Sequence, residues 1–264
     1  MRWRRCAVVT WVGAGSLAAG CAREQPAPAS PRRIGESAAA AVALEVAVAR
    51  PPMSLDSGTN RVLEVWPIPL AKGRQLDETR RLVELLQADL ALQHGFQTAT
   101  LLASGDGTTL VLVAAWNDEA SADAGNALLD RWLHVESDTA ARRDRTGTLT
   151  PRVRVRRTVG TPPVLSDASM LQFTRYRLKP GHSFGALATL SDSNLAMRVL
   201  QDTAAQGGAL LAAADSGALY MLLQARNATA LDPSLRTVAT LPFWSPFATR
   251  EETLLAVVAI VHAR

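Results

Sequence analysis

Three arginines in one short segment are the residues whose spacing first suggests chemistry. Arg152, Arg154 and Arg156 alternate within the segment RVRVRRTV, and side chains that alternate along a β-strand share one face of it. If that face is buried, the charges need acidic or ligand partners, because an unpaired buried charge is costly. If the segment is an edge strand, the same face is solvated and discourages aggregation. The sequence leaves both interpretations open.

Patterns typical of well-known catalytic sites are missing from the sequence. The chain contains no HExxH, no phosphate-binding loop, no GxGxxG and no Ser-His-Asp order. Its two cysteines, Cys6 and Cys21, both lie close to the N-terminus. We therefore expect neither a disulfide nor a metal site in the folded body.

The N-terminal segment is the most specific signal in the sequence. A basic start is followed by an apolar stretch of signal-peptide length and then by Leu17-Ala18-Ala19-Gly20-Cys21, which is typical of a bacterial lipobox. We expect residues 1–20 to be a cleaved signal peptide and Cys21 to be lipidated, so that the protein is anchored to the periplasmic side of the cell envelope. Ala22 is compatible with transport to the outer membrane. The alternatives are an ordinary signal peptide or an uncleaved membrane anchor. A membrane span needs roughly 20 apolar residues, and the apolar stretch Cys6–Ala19 is shorter.

Charge and composition describe a folded body without a nucleic-acid partner. The formal charge is +4, and removal of the three leader arginines leaves 25 basic against 24 acidic residues. A nearly neutral body lacks the basic surface that nucleic acids require. The hydrophobic content of 48% is sufficient for a core. Residues 21–57 begin as a Pro- and Ala-rich tether, and within them 38–50 fits a strand or a helix equally well.

The rest of the chain repeats one order of elements. Strand, helix, strand, strand, helix and strand are predicted over 58–160, and after a turn-rich linker at 161–169 the same order begins again over 170–264, with prolines in its second helix. Two asparagines that each follow a turn and an apolar strand, Asn117 and Asn227, are 110 positions apart. The sequence therefore predicts a tandem duplication.

A βαββαβ unit carries both helices on one face of a four-stranded antiparallel sheet and leaves the other face bare. Two such units can cover each other's bare faces. We therefore predict an α+β fold of two tandem ferredoxin-like units, packed sheet to sheet as an intramolecular α/β barrel. Such a chain is a pseudo-dimer by itself.

The first unit resembles the antibiotic biosynthesis monooxygenase (ABM) domain of the dimeric α/β barrel superfamily. The resemblance rests on the segment VLEVWPIPLAKGRQ, on Gly95-Phe96 after the first helix, and on the strand end AWNDEA at 115–120. It covers 61–160, whereas the second unit matches in outline and lacks the tryptophan. The superfamily includes cofactor-free oxygenases, haem-degrading enzymes, isomerases and ligand-sensing modules, so the resemblance specifies a fold better than an activity.

The resemblance implies a ligand cavity between the sheet and its two helices. It points to His134 as a candidate catalytic residue and to four candidate substrate-binding residues, which are Trp66, His94, Trp116 and Trp132. Structural interpretations compete with these roles. Trp116 and Trp132 suit a packed core, His94 suits a helix C-terminus as a cation, and His134 suits a solvated loop.

Two functions remain open at the level of the sequence. Haem turnover is disfavoured, because the first strands lack the asparagine that the resemblance would require and Trp132 lies only two residues from His134. The first hypothesis is an oxygenase that acts without a cofactor on a small aromatic or quinone-type molecule. The second is a ligand-binding or interaction module that kept the fold without the chemistry. A pocket with an inward polar group favours the enzyme, and a cavity filled by Leu and Val favours the module.

Overall fold

A computed structural model describes the greater part of the chain after residue 51. The described residues are 52–59, 61–135, 152–167, 169–201, 205–213, 218–225 and 246–264. They all belong to the unit Arg33–Arg264. The predicted signal peptide, Cys21, most of the tether and the proline-containing helix of the second unit lie outside them. None of the helices in these ranges has the length and apolar character that a bilayer-spanning helix requires.

Ten strands and three α-helices make up the described part of the unit. The strands are β1 (Met53–Ser54), β2 (Val62–Pro69), β3 (Phe96–Ser104), β4 (Thr109–Trp116), β5 (Arg152–Gly160), β6 (Val164–Leu165), β7 (Met170–Leu178), β8 (Ala205–Ala213), β9 (Ala218–Ala225) and β10 (Ala248–His262). The helices are α1 (Gln75–Ala88), α2 (Glu119–Val135) and α3 (Phe184–Gln201), and a 3₁₀ turn, Leu90–Leu92, follows α1.

Eight strands form a closed antiparallel barrel in the order β10-β3-β4-β2-β5-β8-β9-β7, and β7 pairs with β10 to complete the ring. We call β2 to β5 with α1 and α2 the first half, and β7 to β10 with α3 the second half. The last strand of each half pairs with the second strand of the other, β5 with β8 and β10 with β3. The predicted α+β barrel is confirmed. The halves do not stack as separate sheets, because hydrogen bonds join them along both edges.

The strand pairing of one half is repeated in the other. Trp116 pairs with Phe96 as Ala225 pairs with Ala205, so equivalent residues of these strands are 109 positions apart. The separation of 110 inferred from the two asparagines is therefore one residue too long. Shifts in the strand register also recur at matching places in the two halves. The shift between Phe96 and Thr98 in β3 corresponds to that between Ala205 and Gly207 in β8. The shift between Val155 and Arg157 in β5 corresponds to that between Val257 and Ala259 in β10.

Side chains along each barrel strand alternate between the interior and the outer surface on which the helices pack. The interior is apolar and contains residues from both halves, such as Val65, Val113 and Leu222. The segments before β2 and between the halves also contribute to it, because Leu55 and Leu165 are fully buried among the interior residues. The predicted linker 161–169 thus includes a strand, β6, which pairs with β1.

The helix α2 is capped by Asp118 and not by the preceding Asn117. Oδ1 of Asp118 accepts the hydrogen bond from the backbone N–H of Ser121 at 2.8 Å, as an N-cap residue does. The side-chain oxygen of Asn117 is occupied instead, because Nε2 of Gln97 donates to it. The helix α1 begins at Gln75, has Asp77 in its first turn and ends at Ala88.

Candidate functional site

The outer surface of the first half brings together the three predicted tryptophans. Trp66, Trp116 and Trp132 belong to one apolar cluster between the sheet and its helices. Trp116 is fully buried, and the other two are partly buried. The ring of Phe96 meets that of Trp116 edge to face, with centroids 5.3 Å apart, a favoured geometry for an aromatic pair. We call this region, between β2, β4 and α2, the tryptophan layer.

The helix α2 can lie directly on the indole of Trp116 because Gly125 has no side chain. A Cβ atom at Gly125 would lie 2.0 Å from both Cη2 and Cζ2 of Trp116. Among the described side chains of α2, the buried ones are Ser121, Ala122, Gly125 and Leu129. Ala120 and Ala124 are exposed.

Glu64 is the charged residue of the tryptophan layer, and the sequence analysis did not single it out. In β2 the side chains of Leu63 and Val65 enter the barrel interior, so Glu64 points to the opposite, helix-covered side together with Trp66. Glu64 is 0% exposed. Its Oε2 accepts a hydrogen bond from Nε1 of Trp116 at 3.0 Å, and its Oε1 has no partner among the described residues.

Burial raises the pKa of Glu64 to about 7, even though the hydrogen bond from Trp116 and the positive charge of Arg152 both lower it. A carboxyl group with this pKa is present in both protonation states at neutral pH. It can therefore accept a proton from one group and return it to another, which is the property of a general acid–base catalyst. A buried carboxyl with a perturbed pKa is also a recognised indicator of a functional site.

One sequence signal could have identified Glu64. It is the single acidic residue within the apolar strand VLEVW, and it lies two positions before Trp66. An isolated charge in a strand is usually assigned to the solvent side. In this fold both faces of β2 are covered, one by the barrel interior and the other by α2, so the assignment fails.

The alternating arginines of β5 lie at the seam between the two halves and have acidic partners. The three pairs are Arg152 with Asp123, Arg154 with Glu119 and Arg156 with Asp192. The first two acids belong to α2, and the third belongs to α3 of the second half. The edge-strand interpretation is wrong, because β5 lies between β2 and β8 in the closed barrel. These side chains are partly exposed, so each pair contributes little stability, roughly 0–1 kcal/mol.

Of the two predicted histidines, the structure describes the side chain of His94. His94 is exposed in the turn that precedes β3. Its charge acts on Asp118, whose pKa is lowered mainly by the hydrogen bond from the Ser121 backbone and also by His94. The backbone of His134 lies in the last turn of α2, and its side chain is outside the described part of the structure. Its catalytic role stays a prediction.

In the ranges that the structure describes, no three His, Cys, Asp or Glu side chains are grouped so as to hold a metal ion.

Comparison with known proteins identifies the fold. No protein-family model matches the chain, and no curated protein sequence is similar enough to be a relative. The structure resembles that of an anthrone oxidase-like protein, with 13% identity over 81% of this chain and 97% of the other and a TM-score of 0.55. It also resembles a candidate monooxygenase of Fusobacterium nucleatum, with 12% identity, coverage of 76% and 94%, and a TM-score of 0.46.

A second candidate monooxygenase, from Lactobacillus acidophilus, matches with 10% identity, coverage of 78% and 97%, and a TM-score of 0.44. At such identities the likeness concerns the fold alone. The chain has the fold of a dimeric α/β barrel, as the sequence resemblance implied. The activity has to be inferred from the site.

Proposed function

We propose that the first half binds a small aromatic or quinone-type molecule in the tryptophan layer, and that Glu64 removes a proton from it in a cofactor-independent oxygenation. One observation carries this proposal. It is the fully buried carboxyl of Glu64, held by Trp116 and with a pKa of about 7. A base with that pKa is half ionised at neutral pH, which is close to the optimum for general base catalysis.

The proposed chemistry needs an acidic C–H group next to an aromatic ring or carbonyl. Glu64 takes the proton, and the resulting electron-rich carbanion reduces O2. In the net reaction a CH2 group and O2 give a C=O group and water, so one oxygen atom enters the product and the other leaves as water. All four electrons come from the substrate carbon. The apolar surroundings strengthen the electrostatic interactions of the carboxylate with the reacting groups.

The two halves are proposed to be tandem ferredoxin-like units over 58–160 and 170–264. The repeated strand registers support this proposal. In the first half Glu64 pairs with Ala114, and in the second half Gln172 pairs with Leu223, which is the residue equivalent to Ala114. Gln172 thus occupies the position of Glu64 in the second half. An amide does not titrate, so we assign the acid–base chemistry to the first half alone.

A non-catalytic binding module is the second candidate function. The observation that favours it is the extent to which apolar side chains fill the tryptophan layer, since Ala114, Ala122 and Leu129 are fully buried there. In that case Glu64 serves as a protonated hydrogen-bonding group that shapes the layer. The two candidates differ in whether O2 is consumed.

Oxygen uptake with anthrone, which has a CH2 group between two aromatic rings, tests the proposal. Anthrone is chosen because one structural neighbour is named anthrone oxidase-like. We expect uptake to rise about tenfold per pH unit below 7 and to level off above it, because the ionised Glu64 is the active form. Heat-denatured protein is the control for spontaneous oxidation. Ligand binding without uptake would favour the module, and uptake independent of pH would exclude Glu64 as the base.

We also propose that the protein is exported and anchored to the cell envelope by a lipid on Cys21. We expect cells that express the full chain to incorporate labelled palmitate into the protein, and Cys21→Ala to abolish the label, because Cys21 follows the pattern Leu-Ala-Ala-Gly. Cys6→Ala is the matched control, and it should keep the label. Labelling that persists in Cys21→Ala would contradict the lipid anchor.

A further inference from the structure

Arg152 lies directly across from the buried Glu64 where β5 pairs with β2. The neighbouring pair, Leu63 with Val153, belongs to the barrel interior. Since side chains alternate along a strand, Glu64 and Arg152 both point to the opposite, helix-covered side. Residues that face each other in an antiparallel pair have Cβ atoms about 5 Å apart. The strand register therefore gives the buried carboxyl group a cationic neighbour.

The guanidinium of Arg152 is already engaged by a second carboxylate, that of Asp123 in α2. This ion pair lies nearer to solvent than Glu64, because the side chains of Arg152 and Asp123 are 30% and 65% exposed and Glu64 is 0% exposed. Oε2 of Glu64 accepts from Trp116, and Oε1 has no partner among the described residues. One guanidinium thus has two carboxyl groups beside it, and it binds the outer one.

The other described charged side chains on the elements around Glu64 are exposed or paired elsewhere. The strand β2 has no second charged residue, and β4 has none. The remaining charged side chains described in β5 and α2 are Arg154, Arg156, Arg157, Glu119 and Arg131. Arg154 pairs with Glu119, Arg156 pairs with an aspartate of α3, and the other two are exposed. Solvent and salt screen exposed charges, so the pair of Arg152 and Asp123 is the main charged neighbour of Glu64.

The two members of this ion pair act on Glu64 in opposite directions. While Glu64 is protonated, Arg152 and Asp123 cancel and the three side chains carry no net charge. Ionisation of Glu64 gives the three one net negative charge, so Asp123 opposes this ionisation and Arg152 favours it. The charge of Arg152 accordingly lowers the pKa of Glu64, although burial, the largest influence, raises it overall.

We propose that Arg152 is a positioning residue that controls how readily Glu64 takes up and releases its proton, and that Asp123 holds Arg152 in place for this role. While the ion pair is closed, the guanidinium stays on the solvent side, and Glu64 is free to exchange its proton with a substrate. Opening of the pair lets the guanidinium bind Oε1 and keep Glu64 ionised. Since Glu64 is the base of the proposed oxygenation, this inference rests on that function and names two residues that regulate it.

NMR titration of the Glu64 carboxyl group in two single variants tests this role. The signal is identified in each variant as the one that disappears when Glu64→Gln is added. Arg152→Gln removes the cation and should raise the titration midpoint by about one pH unit. Asp123→Asn imitates the open ion pair and should lower the midpoint by about as much. Arg154→Gln is the matched control, because Arg154 is the next residue on the same face of β5 and pairs with Glu119, and it should leave the midpoint in place.

A double variant separates this electrostatic role from damage to the fold. Loosening of α2 would let water reach Glu64 and would lower the midpoint in every variant, because burial is what raises it. The double variant Arg152→Gln/Asp123→Asn loses one charge of each sign and should titrate close to the parent protein. Three results would overturn the proposal: a midpoint that Arg152→Gln leaves unchanged or lowers, a midpoint that Asp123→Asn leaves unchanged or raises, or a double variant that titrates as low as Asp123→Asn.

Oxygen uptake with anthrone distinguishes failure of this inference from failure of the proposed function. In each variant, the pH at which uptake levels off should move together with the NMR midpoint. Midpoints that move as expected in a protein that consumes no O2 would support the role of Arg152 and contradict the oxygenase. Uptake by variants whose midpoints stay in place would support the oxygenase and overturn the role of Arg152.

Discussion

Glu64→Gln is expected to make the protein more stable at pH 8 and to remove its oxygenase activity. The pKa of Glu64 is raised from 4.5 to about 7 in the folded protein, so the folded state binds this proton more tightly than the unfolded state. Its contribution to stability is full below pH 4.5 and is lost as the pH rises through 7. The difference corresponds to about 3 kcal/mol. Glutamine has no proton to lose, and its side-chain oxygen can still accept from Trp116.

Urea denaturation at two pH values measures this effect. The free energy of unfolding of Glu64→Gln should exceed that of the parent by about 3 kcal/mol at pH 8 and differ little at pH 4.5. Oxygen uptake should fall at least about 100-fold, because the general base is absent. Glu84→Gln is the control, since Glu84 is exposed on α1, and it should change neither quantity. A stability difference that is the same at both pH values would contradict a proton held by buried Glu64.

Gly125→Ala is expected to destabilise the protein by about 3 kcal/mol. In a helix interior this substitution normally stabilises, by up to about 1 kcal/mol, because alanine has the higher helix propensity. Here the added methyl group would lie 2.0 Å from two ring atoms of Trp116. The indole of Trp116 is fully buried and also donates a hydrogen bond to Glu64, so a shift of the ring would disturb that bond. Either α2 must lift from the sheet or the site must distort.

Gly185→Ala is the matched control for this prediction. Gly185 is also helical, at the start of α3, and a Cβ there would meet only Oγ of Ser183, at 3.7 Å. We expect this variant to be neutral or slightly stabilised. Thermal unfolding followed by circular dichroism compares the two variants. Equal midpoints for Gly125→Ala and Gly185→Ala would show that α2 does not rest on Trp116.

The order of elements was predictable because local signals define it. The turn Gly105-Asp106-Gly107 between two apolar runs predicts the hairpin of β3 and β4, and the structure has that hairpin. The closure of the barrel was harder to predict. The pairings of β5 with β8 and of β10 with β3 join residues far apart in the chain. The local sequence of a strand does not indicate which distant strand it pairs with.

The site was predictable in part, for a physical reason. The family resemblance directed attention to Trp66 and Trp116 as residues of a cavity between the sheet and its helices, and both lie in that layer in the structure; their role in binding stays a prediction. Glu64 was missed because a charged residue that alternates with apolar residues in a strand normally faces solvent, and β2 has no face that is open to solvent. The contact of Gly125 with Trp116 was missed because a hydrophobic pattern is read from apolar side chains and glycine has none, whereas the indole of Trp116 leaves no room for a Cβ atom at this position.

Titration of Glu64 itself tests the central claim most directly. Protein labelled with ¹³C at the glutamate carboxyl carbons gives one NMR signal per glutamate, and the signal that disappears in Glu64→Gln is that of Glu64. The account predicts that this signal titrates at a pH of about 7. Titration near 4.5, the ordinary value for glutamate, would contradict it.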